Sequence, residues 1–270
     1  MKKVKLVLWI LIAVMLLSLI GLNVYNIYLA KTEKVVHPEL TFEIENYGNV
    51  KMELYPEYAP NTVANIIKLA EKGYYNNKII HGKDEICLYL GKNEEGEVDA
   101  PKASFISEAI EADSESDYEY AVPGEFFVNG YEYNTLHHEK GVVSLMRSDY
   151  TQYFQDLTNE SYNSGHSQIG IIMDTAPALN GVYAGFGKIT EGLDIIEKIY
   201  NEEKIKVEEK KEGEEVAEEA LKTFEKAPVI KSVTVNTFEN DYGNPIILKA
   251  FDYNAYVNEF LTQYYQNSAE

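Results

Sequence analysis

The sequence predicts a mainly β chain: antiparallel strands with two packed helices, preceded by a helix able to cross a membrane. Three observations carry that reading. Leu40, Phe42, Ile44 and then Val50, Met52, Leu54 alternate with polar residues on either side of a turn at 46–49, the period of a half-buried hairpin. Short apolar runs of strand length recur as far as residue 237, interrupted by two stretches of helical spacing. Residues 6–22 form an unbroken apolar run behind Lys2, Lys3 and Lys5, about the lower limit for a spanning helix.

Taken in order, residues 1–30 are expected to be an uncleaved anchor. Tyr28, Leu29 and Ala30 make a poor small-x-small cleavage site. The preceding lysines place the N-terminus in the cytoplasm and the main domain outside it, a single-pass cell-membrane topology. After a linker (31–39) and the hairpin, Pro60-Asn61-Thr62 offers a helix start, with Val63, Ile66, Ile67 and Ala70 on one face and Gly73 as the stop. Ile79, Ile80 and then Ile86, Leu88, Leu90 read as a strand pair turned at residues 82–85. Residues 93–120 read as a long acidic loop with at most one short helix. Residues 122–127 and 141–146 read as further strands, and 149–161 as an inserted loop. A second helix is expected over 191–200, a charged, helix-prone insertion over 202–226, and a closing strand over 230–237. The tail, 238–270, ends in a helix carrying Tyr256, Val257, Phe260, Leu261 and Tyr264 on one stripe, expected to pack back on the domain.

Composition narrows the function. A net charge of -20 over 270 residues argues against a nucleic-acid partner, which needs basic patches to release counterions. Cys87 is the sole cysteine, so no internal disulfide forms, and burial as a small apolar residue is the expected role. His137 and His138 invite a metal reading, but strand neighbours point to opposite faces; neither a metal nor a cofactor is expected.

An ordered set of motifs resembles the cyclophilin family of peptidyl-prolyl isomerases over residues 40–237. It includes Ala59-Pro60-Asn61-Thr62-Val63, Lys72-Gly73-Tyr74-Tyr75, Gly124-Glu125-Phe126, Gly141-Val142-Val143-Ser144-Leu145, Ser167-Gln168, Leu179-Asn180-Gly181 and Phe186-Gly187-Lys188-Ile189. The resemblance implies a closed eight-stranded antiparallel barrel capped by two helices. It also implies action on proline-containing segments, here those of exported proteins, as a folding assistant or chaperone.

Isomerising an X-Pro bond needs no nucleophile. It needs an apolar pocket for the ring, polar groups for the flanking backbone, and a donor aimed at the proline nitrogen as amide resonance is lost. The resemblance assigns the donor to an arginine after Phe-His; this chain reads Ile80-His81-Gly82, so Gly82 stands at that position and no catalytic residue is assigned. The resemblance places the substrate groove at His81, Leu88, Leu90, Met146, Arg147, Gln168, Gly170, Leu179 and Tyr183, with Leu90 where the family has a glutamine and Gly170 where it has a pocket phenylalanine. Lys83 is a possible substitute donor. Two functions are therefore expected in competition: an isomerase of weakened activity, and a non-catalytic peptide- or protein-binding module, a pseudoenzyme.

Overall fold

The computed structural model describes residues 12, 14–16, 18–19, 21–22, 35–97, 100–206 and 222–267. The chain divides into two compact units, Met1–Val36 and His37–Glu270. In the first, residues 12–22, where described, are helical, and Ser18 Oγ donates to Met15 O at 2.8 Å. No described helix is long and apolar enough to cross a membrane. Most of the predicted anchor lies outside the described residues, as do residues 207–221 of the charged insertion.

The second unit carries strands β1 (Glu39–Ile44), β2 (Gly48–Leu54), β3 (Lys78–Lys83), β4 (Cys87–Lys92), β5 (Tyr120–Ala121), β6 (Val142–Leu145), β7 (Ile169–Ile172), β8 (Ala184–Glu191), β9 (Lys222–Thr223), β10 (Val229–Asn236) and β11 (Leu248–Lys249). Eight of them run in the order β10-β1-β2-β8-β6-β7-β4-β3, each antiparallel to the next. Pairing of Val229 with Ile79 and Ile230 with Lys78 joins β3 back to β10. The predicted closed eight-stranded antiparallel barrel is thus present, and closure leaves these strands no open sheet edge.

Alternation sorts the strands into an inner and an outer face. Leu40, Phe42, Val50, Met52, Leu88, Leu90, Val143, Ile169, Ile171 and Phe186 belong to one buried core. Helix α1 (Pro60–Glu71) packs against β10 and adds Val63, Ile66 and Ile67 to that core, and helix α2 (Leu193–Glu202) packs against β2 and adds Ile196 and Ile199. The N-terminus of α1 has no cap of its own; Glu125, 64 residues on, accepts from Asn61 N at 2.9 Å and Thr62 N at 2.7 Å. Gly73, at φ +75°, ends the helix in the left-handed region.

Three expectations need correction. The strand foreseen over 122–127 does not form: only Tyr120–Ala121 is extended, because Pro123 has no N–H to offer a ladder and Gly124 N is taken by Asn163 Oδ1 at 3.0 Å. The insertion enters and leaves as strand rather than helix. Ile205 bridges Phe224, Lys206 N donates to Thr223 O at 2.8 Å, and β9 pairs with β3. Of the tail's stripe, only part packs: helix α3 (Tyr253–Asn267) sets Tyr256 against Phe154, Phe260 touches the same ring but is itself exposed, and Leu261 and Tyr264 are exposed.

Candidate functional site

On the outer face of the barrel, β4, β7, β6 and β8 lie side by side, and one row across them reads Tyr89, Gly170, Ser144, Gly185. Three small residues in succession leave room for side chains from other segments: a Cβ at Gly185 would stand 3.2 Å from Leu136 Cδ2, and the His138 ring meets Ser144 Oγ at 3.0 Å. A second apolar cluster, Cys87, Val142, Ile172 and Ala176 with Tyr89, Leu136 and Leu179 packed on it, lies beside that row. Burial pushes the Cys87 thiol up to about 12, so it is an inert apolar filler.

Gly170 is covered in the same way, by Met146. A Cβ built there would stand 2.7 Å from Met146 Cε and 2.9 Å from its sulfur. The flexible thioether thus occupies part of the space that a ring at position 170 would take.

Next to Met146, Arg147 is the chain's only arginine. Its guanidinium lies over three rings, Tyr183 at 4.7 Å, Tyr162 at 5.1 Å and Phe126 at 5.6 Å, and its Nε donates to Val182 O at 3.2 Å. Met146, Arg147, His166 and Gln168 line one side of a cleft of about 810 Å³. The Gln168 side-chain nitrogen is buried without a hydrogen-bond partner among the described residues, and each such donor calls for an explanation. Burial holds the His166 imidazole down to about 4, so it is neutral at physiological pH; its Nδ1 pairs with Ser167 Oγ at 2.7 Å.

At the position where the resemblance calls for arginine, backbone fills the space. Gly82 pairs with Thr223 of β9, and a Cβ at 82 would stand 2.6 Å from Lys222 O. Any side chain there must displace main chain. Lys83 is no substitute donor: its ammonium donates to Tyr200 O at the end of α2 and lies 4.5 Å from the Tyr200 ring centroid.

The groove residues named from sequence therefore divide. Met146, Arg147 and Gln168 share the cleft, Tyr183 joins them through Arg147, Gly170 joins through Met146, and Leu179 packs on the adjoining outer cluster. Leu88 and Leu90 do not belong to it: both face the barrel interior, 0% and 2% exposed, while Cys87 and Tyr89 take the outer face. With a side-chain period of two, a register one residue off exchanges the faces. His81 is buried against Tyr89 beneath β9, away from the cleft, with its Nδ1 unpartnered among the described residues. Burial and the nearby Lys92 charge lower its pKa to about 4. His138, part of the pair that invited a metal, has both ring nitrogens engaged, with Asn180 Oδ1 at 3.1 Å and Ser144 Oγ at 3.0 Å. Sequence reasoning missed the tail residues on the far side of the cleft, which no motif marks, and Tyr89, which strand alternation alone could have found.

The chain is similar to peptidyl-prolyl cis-trans isomerase B of Bacillus subtilis, with 28% identity over 160 residues, 59% of this chain and 89% of that protein. It is also similar to the peptidyl-prolyl cis-trans isomerase-like 2 protein of Rhizopus delemar, 30% identical over 168 residues, or 62% of this chain. It spans only about a quarter of the length of that protein and of its Gibberella zeae counterpart. Among solved structures, a cyclophilin type peptidyl-prolyl cis-trans isomerase of Cryptosporidium parvum aligns with 75% of this chain and 99% of its own at a TM-score of 0.49 and 19% identity. Residues 39–224 match the family model described as cyclophilin type peptidyl-prolyl cis-trans isomerase/CLD, and with two thirds of its length inside that match and an eight-stranded closed barrel beneath it, the chain belongs to the cyclophilin-type peptidyl-prolyl isomerase family.

Proposed function

We propose that this chain is a membrane-anchored prolyl isomerase of weakened activity, acting outside the cytoplasm on proline-containing segments of exported proteins. The observation that carries the peptide-binding part is the convergence of Met146, Arg147 and the unpartnered amide of Gln168 on one cleft of a cyclophilin-type barrel. The apolar run behind three lysines supports the anchor and its orientation.

The chemistry asks for little beyond binding and one donor. The amide barrier is about 20 kcal/mol, giving spontaneous exchange over tens of seconds. Losing a preorganised donor costs on the order of 100- to 1000-fold, and Gly82 supplies no side chain. Arg147 is the cation beside Tyr183 that is left to stabilise the nitrogen lone pair, from the end of β6 rather than from β3.

The second reading, a binding module without catalysis, is favoured by one observation: the backbone of Lys222 stands where the arginine side chain would begin. Exchange spectroscopy on a proline peptide, with the full chain added in detergent, separates the two. Acceleration well below ordinary family levels, lost in Arg147→Lys, supports the isomerase. Binding with no acceleration supports the module, and absence of binding removes both.

A further inference from the structure

The cleft has a second side that the family match does not reach. Opposite Met146, Arg147, His166 and Gln168 stand residues 249–254, beyond the matched span, which ends at residue 224. This segment is fastened along its length. Ile246 exchanges two hydrogen bonds with the Asn61 side chain, at 2.6 and 3.1 Å, β11 pairs with β5, and Ala250 N donates to Glu119 O at 2.8 Å. Beyond it Tyr253 stacks on Tyr150 of the inserted loop, centroids 4.9 Å apart and planes 10° apart, and Phe251 meets the same ring at 5.4 Å.

A tail that merely packed on the domain would close over Met146 and Gln168. This one is anchored on the loops flanking them and stands off, leaving about 810 Å³ between. That volume is in the upper part of the range for pockets that enclose a drug-sized ligand, far more than a proline ring occupies. The rim carries both signs, Arg147 and Lys249 against Glu119 and Asp252, so it has no charge to select by. Its distinctive chemistry is aromatic: Tyr118, Tyr150, Phe251 and Tyr253.

We infer that residues 249–254 are the outer wall of the substrate cleft, and that the cleft takes a proline-containing peptide bearing an aromatic side chain within about two residues of its proline. The inference rests on the groove reading above and assigns its specificity. The backbone beside the proline lies on the Gln168 side, and the aromatic side chain lies against Phe251 and the Tyr150–Tyr253 stack.

The test uses the full chain and three labelled ten-residue peptides with one proline each: tyrosine two positions before it, tyrosine two positions after it, or no aromatic residue. Fluorescence anisotropy should show one tyrosine peptide bound about three- to tenfold more tightly than the peptide without it, the range an aromatic pair supplies. Phe251→Ala should abolish that preference, bringing the tyrosine peptide to the affinity of the aromatic-free one. Phe251→Leu, which keeps apolar volume without the ring, should do the same in a folded protein. Leu261→Ala, on the exposed part of α3, should change nothing. Equal binding of all three peptides, or a preference that survives both Phe251 variants, overturns the wall and leaves the groove reading standing. Failure to bind any peptide overturns both.

Discussion

The side chain of Met146 stands where a ring at Gly170 would stand: Met146 directly follows β6, Gly170 lies on the adjacent β7, and a Cβ on Gly170 would meet Met146 Cε at 2.7 Å. The Met146 thioether thus takes part of the space that a ring at position 170 would fill.

The pair should therefore behave as a unit. Gly170→Phe alone is expected to destabilise by about 1–3 kcal/mol through overpacking. Adding Met146→Ala should recover part of that loss, with a coupling of about 0.5–3 kcal/mol. Urea denaturation of the two single variants and the double checks it, and strict additivity would show that the two side chains do not compete.

Gly82→Arg is not expected to restore catalysis. The arginine Cβ would meet Lys222 O at 2.6 Å, so the side chain enters only if β9 leaves β3. The outcome to look for is a lowered melting temperature with no gain in proline exchange by NMR. A hundredfold gain would mean that the β9 ribbon yields readily.

His81 gives the fold a pH dependence whose sign follows from its burial. Its pKa, about 4 when folded, lies below the ordinary value near 6.5, so the unfolded chain takes up the proton first. The stability this contributes is complete above about pH 6.5, falls as pH drops toward 4, and levels off below that; its full size is on the order of 3 kcal/mol. Subtracting the profile of His81→Gln from that of the unmodified chain, by urea midpoints between pH 7 and pH 4, isolates the effect. A flat difference would place the imidazole in solvent.

Glu125 is the remote cap of α1, accepting from Asn61 N, Thr62 N and, at 2.7 Å, Thr62 Oγ1. Glu125→Ala leaves buried donors unmet and should cost about 1–3 kcal/mol. Glu125→Gln, which retains an acceptor oxygen, should cost less. Equal losses in the two would assign the effect to the charge rather than to the capping bonds.

The first hairpin and α1 were legible because their information is local and periodic, whereas the closed barrel was implied by the family resemblance. Leu40, Phe42, Ile44 and Val50, Met52, Leu54 state their pairing by alternation, and Pro60 and Gly73 bracket α1 where they stand. Leu88 and Leu90 were named for the groove by the resemblance alone, and the structure places both in the barrel interior. The strand expected at 122–127 failed because Pro123 has no N–H and the Gly124 backbone is held by the Asn163 and Asn129 side chains.

By itself the sequence determined the barrel, its two flanking helices, the loss of an arginine side chain at position 82 and of a ring at position 170. Only the tertiary structure decided what replaced them: the Lys222 backbone beside Gly82, the Met146 thioether over Gly170, and the tail across the cleft from Gln168. Alternation and capping act over a few residues and are written in order along the chain. The space left by an absent side chain is filled by whatever the closed barrel brings near, here from 24 to 140 positions away, and no local pattern encodes that neighbour.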